Sequence, residues 1–354
     1  MEFGEVLRSF SIFIKIERSE KLKEFNVAIV GATGVVGGET LKVLEERNFP
    51  IKELKLIATA NSVGQQFNFH ECRFSVEELT EKSFQEIDHV FFCAGGEVSK
   101  KYVPLAVQAG AIAIDKSSVF RLDNHVPLVV PEVNPLDAFR HQGILANPNC
   151  STIQLVTALK PINDLSRIKR LIVNTYQSVS GSGKKAMEEL RVQSRQVLDE
   201  KKVTRQVYPH QIAFNVLPHI DVFESNAFTK EEMKLIHETK KIMADEDIKI
   251  TATAVRVPVF IGHAESVYLE TESRLDIEKL RSHYLCAPGI KLVDDIENSK
   301  YPLPIMSETY DDVMVGRLRR DLAVPNGINL WIVANNLRKG AALNAVQIAE
   351  LLIT

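Results

Sequence analysis

The chain has 354 residues, 45% of them hydrophobic and 25% charged, which is typical of a soluble globular protein long enough for two domains. Its net charge of −3 provides no global basic field, so small ligands are expected as partners rather than nucleic acid or anionic membranes. The longest apolar runs are strand-sized, which excludes a membrane span of about 20 residues.

The four cysteines are widely scattered and form no CxxC pair. This spacing argues against a zinc site or a disulfide framework, so we expect no metal and a reducing, cytoplasmic location. Residues 1–24 contain several glutamates and no small-residue cleavage pattern, and we interpret them as an extension ahead of the first strand rather than a targeting peptide.

The first strong pattern is "NVAIVGATGVVGGETLKVLEE" at 26–46. Val27 to Val30 predict a buried strand, a GxxGxxG turn follows, and apolar residues then recur at helical spacing. This order aims a helix N-terminus at a pyrophosphate, although a glycine-rich structural turn is the alternative. The predicted cofactor-binding residues of this turn are Gly31, Ala32, Thr33, Gly34, Val35, Val36 and Gly37.

The rest of the first 150 residues predicts strands that alternate with helices. Alternation of this kind indicates an α/β fold with a Rossmann-like, doubly wound parallel sheet. Strands are predicted at 54–60, 89–96, 111–115 and 126–133, and a helix at 98–110.

The loop after the second predicted strand carries no acidic residue from Ala58 through Gln66. An acid at this place binds the ribose diol in many NAD-dependent folds. Its absence favours NADP, because Thr59, Asn61 and Ser62 can donate hydrogen bonds to a 2′-phosphate. A plain polar loop is the alternative.

Beyond residue 150 the pattern changes to period-two alternation, which predicts a mostly antiparallel sheet. The predicted strands are 170–180, 250–259 and 265–273, with helices at 184–200 and 229–243. A final strand and apolar helix at 329–352 are expected to return to the first domain. We therefore predict an NADP-binding domain over 25–150 completed by 326–354, and a catalytic and dimerisation domain over 151–325.

The segment "NPNCST" at 147–152 places a cysteine where a turn leads into a helix. Asn149 is predicted to cap this helix, so that Cys150 lies in its first turn beside free N–H groups that lower the pKa of a thiol. A buried structural cysteine is the alternative, and it is our interpretation of Cys72, Cys93 and Cys286.

Residues 25–354 resemble the aspartate-β-semialdehyde dehydrogenase family. The resemblance is carried, in chain order, by "VGATGVVG", "SSVFR", "VPEVN", "NPNCST", "TYQSVSGSGKKAMEEL", "VRVPVFIGHAES", "VGRLRRD" and "PNGINLWIVANNLRKGAALNAVQIAEL". Several long blocks in the same order make chance similarity negligible.

The resemblance implies a reversible reaction between L-aspartate 4-semialdehyde, phosphate and NADP⁺ on one side and L-aspartyl 4-phosphate and NADPH on the other. It places the enzyme in the biosynthesis of lysine and diaminopimelate, threonine and methionine, and it implies a homodimer. By the same resemblance Cys150 is the nucleophile, His263 the acid and base, and Gln177 the residue that orients the substrate.

The resemblance also implies the substrate contacts. Arg256 matches the arginine that clamps the α-carboxylate, and Glu231 contacts the amino group. Lys234 lies three residues after Glu231, so a helix presents both on one face, and it binds phosphate together with Arg121. Asn149 completes this set. Without the resemblance, "KEEMK" would be interpreted as a solvated helix face. A surface ion-pair partner is the alternative for Arg256, although its position inside the apolar strand "AVRVPVF" argues against it.

For the cofactor, Ser180 and Gly181 match a loop at the nicotinamide end, and Asn335 or Asn336 a contact from the returning segment. Two residues depart from the family. Asn61, in "TANSVG", stands where bacterial members commonly carry an arginine that binds the 2′-phosphate. Lys116, in "DKSS", stands where asparagine is usual and is expected to add positive charge near the phosphate site.

Two other functions are compatible with parts of this pattern. An N-acetylglutamyl-phosphate reductase shares the thiol chemistry, although "VRVPVFIGH" and "NLRKGAALN" point away from it. A non-catalytic dinucleotide-binding relative is the second alternative, but it is expected to lose the nucleophile that this chain keeps at Cys150.

Overall fold

A seven-stranded sheet occupies the N-terminal part of the computed structural model, which describes residues 23–353, so the predicted extension lies almost entirely outside the described residues. Its strand order is β3-β4-β2-β1-β5-β6-β7, and all neighbours are parallel except β3 and β4. The strands are β1 (Phe25–Val30), β2 (Ile51–Ala58), β3 (Gln66–Phe69), β4 (Cys72–Glu78), β5 (His89–Phe92), β6 (Ile112–Asp115) and β7 (Ile144–Ala146). The predicted Rossmann-like sheet is confirmed.

Helices α1 (Val35–Glu46) and α2 (Gly96–Gln108) connect strands of this sheet. Val27 to Val30 are at most 1% exposed, because both faces of β1 are covered. The carboxyl ends of β1, β2, β5 and β6 meet at one edge, where doubly wound sheets bind their ligands.

The second sheet has six strands in the order β11-β12-β13-β10-β8-β9. The three inner pairings are antiparallel, and the outer pairs β8–β9 and β11–β12 are parallel. The strands are β8 (Ile168–Gln177), β9 (Lys249–Arg256), β10 (His263–Thr271), β11 (Ile290–Leu292), β12 (Val313–Arg320) and β13 (Gly327–Ala334).

Helices α3 (Cys150–Leu165), α5 (Lys230–Met243) and α6 (Ile277–Tyr284) contribute apolar residues to one core with this sheet. A separate small core lies under α4 (Lys184–Leu198).

The returning C-terminal segment is divided between the two sheets. Its strand β13 lies inside the six-stranded sheet, between β10 and β12. Its helix α7 (Leu343–Leu351) instead shares a core with β1 and α1, as predicted for the apolar part. The predicted boundary at 326 is therefore misplaced by one strand, since the backbone of β13 pairs only within the second sheet. The division into domains otherwise stays a prediction.

Several predicted strands differ from the structure; the strand predicted over 89–96, for example, ends at Phe92. The segment 126–133 forms only a single parallel bridge, between Leu128 and Ala146, because Pro127 and Pro131 remove two of its backbone donors. The strand predicted over 170–180 ends at Gln177, and a 3₁₀ turn follows at Val179–Ser182. Strands β3, β4, β7, β11 and β12 were not predicted.

Candidate active site

Strand register brings four predicted site residues to one end of the six-stranded sheet. Gln177 and Arg256 are paired where the parallel strands β8 and β9 end. His263 begins β10 and is paired with Ala334, directly before Asn335. Because β10 runs antiparallel to both neighbours, its first residue lies beside the last residues of β8 and β13.

Cys150 is the first residue of α3 and follows a side-chain cap. The Asn149 side chain accepts a hydrogen bond from the backbone N–H of Ser151 at 3.0 Å, so the predicted cap is confirmed. The Ser151 hydroxyl in turn accepts a hydrogen bond from Nε2 of Gln177 at 2.7 Å. The nucleophile candidate is therefore fixed to the end of β8 through its own helix.

A buried carboxylate, Glu231, connects this group to α5. It accepts hydrogen bonds from Gln177 at 3.1 Å, from Asn149 at 3.1 Å and from Lys234 at 3.1 Å. Burial opposes ionisation of Glu231, but Lys234 and Gln177 outweigh it and lower the pKa of the carboxyl. The predicted shared helix face of Glu231 and Lys234 is present, and Lys234 also donates to Asp221.

Arg121 binds a carboxylate that the sequence did not reveal as part of the site. Its guanidinium donates to Glu238 at 2.9 Å, and both side chains are buried. Glu238 also accepts the backbone N–H of Asn149 at 2.7 Å. It lies seven residues after Glu231, two helical turns along the same face of α5, which is the signal that could have identified it.

Arg256 and His263 face each other across Gly181. A Cβ at Gly181 would lie 2.9 Å from Nη1 of Arg256 and 3.4 Å from Nε2 of His263, so glycine keeps open the space beside both. Arg256 donates to the carbonyl oxygen of Ser178 at 2.8 Å, while its Nε and the Nε2 of His263 are buried without a partner in the described part of the chain. Both groups are free to meet a substrate.

His263 is held in one tautomer by the backbone. Its Nδ1 accepts the N–H of Ser178 at 3.1 Å, and a backbone N–H can only donate, so the neutral ring carries its proton on Nε2. Burial, and then the charge of Arg256, lower the pKa of His263 well below its usual 6.5. The ring is therefore neutral at pH 7.

The pKa of the Cys150 thiol was predicted to be lowered, but the structure indicates that it is raised. Burial, followed by the negative charge of Glu231, raises its pKa to about 12, although Arg256 and Arg121 oppose this. The predicted lowering by the helix N-terminus was wrong for the chain without ligand, because a capped helix end competes here with burial and a nearby carboxylate. The resting thiol is protonated.

Replacing Glu231 with glutamine is therefore expected to accelerate alkylation of Cys150 by iodoacetamide near pH 7.5, by about tenfold, because a negative charge that raises the thiol pKa is removed. The rate is measured by mapping the modified peptide. Cys150→Ser is the control, since it reports only the other three cysteines, Cys72, Cys93 and Cys286. Slower alkylation in Glu231→Gln contradicts the electrostatic argument.

The two asparagines of the returning segment have structural partners. Asn336 accepts hydrogen bonds from Gly262 N–H at 3.0 Å and from the Ser178 hydroxyl at 3.1 Å, and it donates to the Ser180 hydroxyl at 2.9 Å. It thereby ties the loop after β8 to the start of β10. Asn335 accepts the N–H of Leu337 and so begins the turn that leads to α7.

That turn brings a further glycine against the nucleophile candidate. A Cβ at Gly340 would lie 2.8 Å from the Cβ of Cys150, which is closer than two such atoms approach. Only glycine lets the π-helical turn Arg338–Ala342 pack against the start of α3. The sequence analysis missed this residue, because its requirement depends on a contact between segments 190 positions apart.

The glycine-rich turn after β1 has the form of a dinucleotide cradle. Gly31 has a positive φ of 84°, and a Cβ at Gly37 would lie 2.2 Å from the carbonyl oxygen of Gly31. Gly34 caps α1 without any side-chain bond, so the first N–H groups of α1 meet no protein side chain there. These residues fit a bound pyrophosphate.

The loop after β2 lies beside this cradle. The Thr33 hydroxyl is 3.4 Å from that of Ser62, while Thr59 and Asn61 are exposed. Lys116 does not add its charge where we expected it. Only its carbonyl oxygen contacts Arg121, whereas its ammonium donates to Thr40 of α1 at 2.7 Å, because the side chain turns toward the first sheet.

A second buried carboxyl, Glu265, lies two residues after His263 on the same face of β10. It is 0% exposed, and neither of its oxygens has a hydrogen-bond partner of good geometry in residues 23–353, although Gln154 lies nearby. Burial raises its pKa well above the usual 4.5, against a smaller opposing effect of Gln154. Glu265 therefore stays protonated to a higher pH in the folded chain than in the unfolded one.

Glu265→Gln is expected to raise the Tm by an amount that grows as the pH rises above about 4.5. Above about pH 4.5 the carboxyl ionises in the unfolded chain but stays neutral in the folded one. The free energy of unfolding of the wild type therefore falls by about 1.4 kcal/mol per pH unit until the raised pKa of the folded state is reached. Glutamine has no such loss. Exposed Glu53→Gln is the control, and a Tm difference independent of pH contradicts the assignment.

Two of the three other cysteines, which were predicted to be buried, are exposed. Cys72 and Cys286 are exposed, and Cys93 is half-buried just after β5 with its sulfur 3.5 Å from the Thr40 hydroxyl. In the described part of the chain no cluster of three or more His, Cys, Asp or Glu side chains is arranged to hold a metal ion. Nor is any helix between residues 23 and 353 long and apolar enough to cross a membrane.

Two family models match the chain. The NAD binding domain of semialdehyde dehydrogenase matches residues 26–141, and the semialdehyde dehydrogenase dimerisation domain matches residues 159–339. These matches agree with the predicted nicotinamide cofactor and the predicted homodimer.

Individual relatives give the same result over nearly the whole chain. The aspartate-semialdehyde dehydrogenase of Aquifex aeolicus (strain VF5) is 53% identical over 333 residues, covering 93% of this chain and 98% of the relative. That of Legionella pneumophila is 52% identical, covering 93% and 96%.

A solved structure agrees as well. Aspartate semialdehyde dehydrogenase II from Vibrio cholerae is 47% identical and has a TM-score of 0.91 over 94% of this chain and 99% of that one; the same enzyme has been solved in complex with ASA. With the two sheets, the dinucleotide cradle and the thiol at the start of α3, these matches show that the chain belongs to the aspartate-semialdehyde dehydrogenase family.

Proposed function

We propose that this chain catalyses the reversible, NADPH-dependent reductive dephosphorylation of L-aspartyl 4-phosphate to L-aspartate 4-semialdehyde through a thioester on Cys150. The observation that carries the proposal is the hydrogen-bonded set around the start of α3, with Gln177 and Glu231 fixed beside the thiol and the Nε2 of His263 unpartnered. We place the reaction in the cytoplasm, in the biosynthesis of lysine and diaminopimelate, threonine and methionine.

Substrate binding uses the charges around the thiol. Arg256 offers the α-carboxylate its free Nε, and Glu231 offers the α-ammonium a buried carboxylate. Arg121 and Lys234 bind the phosphate. Each replaces part of its present contact with a carboxylate by a contact with a phosphate oxygen. Paired cations and anions of this kind fix the acyl carbon beside the sulfur of Cys150.

The same contacts activate the thiol. In the chain without substrate, Glu231 contributes to the raised pKa of Cys150. A bound ammonium offsets that negative charge and lowers the pKa, so that the thiolate forms when the acyl carbon is in place. The thiolate attacks this carbon, a C–S bond forms and the C–O bond to phosphate breaks, and the departing phosphate takes up the proton that the thiol released.

Reduction of the thioester needs a proton donor at the substrate oxygen. The nicotinamide cofactor, when bound to the cradle after β1, supplies the hydride. The Nε2–H of His263 donates to the oxygen on which negative charge develops, and water returns a proton to Nε2 in the same step, so the ring stays neutral. Gly181 leaves room for that oxygen. The thiohemiacetal then releases the aldehyde and restores the thiol.

The direct assay runs the reaction backwards. L-aspartate 4-semialdehyde and NADP⁺ are expected to give NADPH over repeated turnovers only when phosphate is added, and NAD⁺ is expected to be a poorer substrate. Sustained reduction of NADP⁺ at a rate that does not depend on phosphate contradicts the acyl-phosphate product. N-acetylglutamate semialdehyde, offered in parallel, tests the reductase alternative, which requires it to be the better substrate; the aspartate-semialdehyde dehydrogenase relatives do not favour that outcome.

A further inference from the structure

The place that would receive the 2′-phosphate of NADP contains hydroxyl groups but no cation of its own. Thr33 and Ser62 bring their hydroxyl oxygens to 3.4 Å of each other, where the glycine-rich turn meets the loop after β2. Residues 58–66 include no lysine or arginine, and Asn61 is exposed. A phosphate dianion is bound far better by a charge-assisted partner than by neutral donors alone.

A lysine from the part of the chain that contains the six-stranded sheet reaches Thr33. Lys184 is the first residue of α4, which begins after Gly183 with its positive φ of 86°. Its Nζ donates to the carbonyl oxygen of Thr33 at 3.1 Å, and within residues 23–353 it forms an ion pair with no carboxylate. The ammonium therefore lies on the same residue whose hydroxyl contacts Ser62.

From this geometry we infer that Lys184 binds the 2′-phosphate of NADP and supplies the positive charge that Asn61 lacks. The inference rests on the proposed function, since it concerns the cofactor of the same site. A neutral carbonyl is a weak partner for an ammonium, and a flexible four-carbon stem lets Lys184 exchange it for a phosphate oxygen nearby. Because α4 belongs to the catalytic part of the chain, this contact also links NADP binding to that part.

The alternative target is the pyrophosphate, which is common to NADPH and NADH and would be bound at the start of α1. The two targets differ in which cofactor depends on the lysine. A 2′-phosphate contact affects NADPH alone, whereas a pyrophosphate contact, or a purely structural role through Thr33, affects both cofactors equally.

The test measures the Kd of NADPH and NADH for the full chain by fluorescence titration. Lys184→Gln is expected to weaken NADPH binding about tenfold or more while the Kd of NADH changes less than about twofold. Lys185→Gln is the matched control, because Lys185 is the next residue, equally exposed, and is expected to leave both values unchanged within about twofold.

A second variant asks whether the missing charge itself is the cause. Asn61→Arg placed in the Lys184→Gln chain is expected to restore NADPH affinity without improving NADH binding. Equal weakening of both cofactors by Lys184→Gln, or no weakening of NADPH, overturns the inference. A wild-type chain that binds neither nucleotide overturns the proposed function instead, so the two failures are distinguishable.

Discussion

Cys150→Ser is expected to lower kcat by at least about 1,000-fold while the Kd of NADPH stays within about twofold. A serine hydroxyl fills nearly the same space at the start of α3 but does not ionise under conditions in which a thiol can be activated. Steady-state kinetics and a nucleotide titration on the same preparation measure both values.

The control for this change is Cys286→Ser, which removes an exposed thiol and is expected to keep full activity. Near-normal turnover in Cys150→Ser would remove Cys150 from the role of nucleophile. Loss of NADPH binding together with turnover would instead indicate that the serine disturbs the packing against Gly340.

His263→Asn is expected to lower kcat about 100- to 10,000-fold with a much smaller effect on KM, because it removes the proton donor at the substrate oxygen. The lowered pKa of His263 gives a second expectation. Since the neutral ring prevails at all pH values above that pKa, the wild-type pH–rate profile should show no acid limb near pH 6.5 that His263→Asn abolishes.

His283→Asn, an exposed histidine on α6, serves as the control and is expected to keep wild-type kinetics. An acid limb centred near pH 6.5 that disappears in His263→Asn contradicts the neutral, buried imidazole. A raised KM with an unchanged kcat in His263→Asn would make His263 a binding residue rather than an acid.

Local patterns in the sequence predicted the elements whose physics is local. The β-branched run at Val27 to Val30 and the glycines after it fix a strand, a turn and a helix within 20 residues, and these are present. The segment 126–133 has the same apolar character but two prolines, and their missing N–H groups decide against a strand. Strand β7, only three residues long, exists because β6 offers it an edge.

The position of Cys150 at a helix start was predictable from the sequence, but the pKa of its thiol was not. Cys150 could be placed at a helix start because its cap, Asn149, is its neighbour in sequence. The raised pKa of its thiol depends on Glu231, 81 positions later, and on burial, and neither is visible in a local pattern. The same holds for Glu238 and Gly340, which reach the site only through the packing of α5 and the C-terminal turn.

The most direct test of the covalent route is mass spectrometry of the chain after incubation with L-aspartate 4-semialdehyde and NADP⁺ in the absence of phosphate. Without phosphate to release the acyl group, we expect a mass gain of one aspartyl group on the peptide that contains Cys150, and its loss when phosphate is added. Turnover without any acylated peptide, or acylation at another residue, would contradict the account.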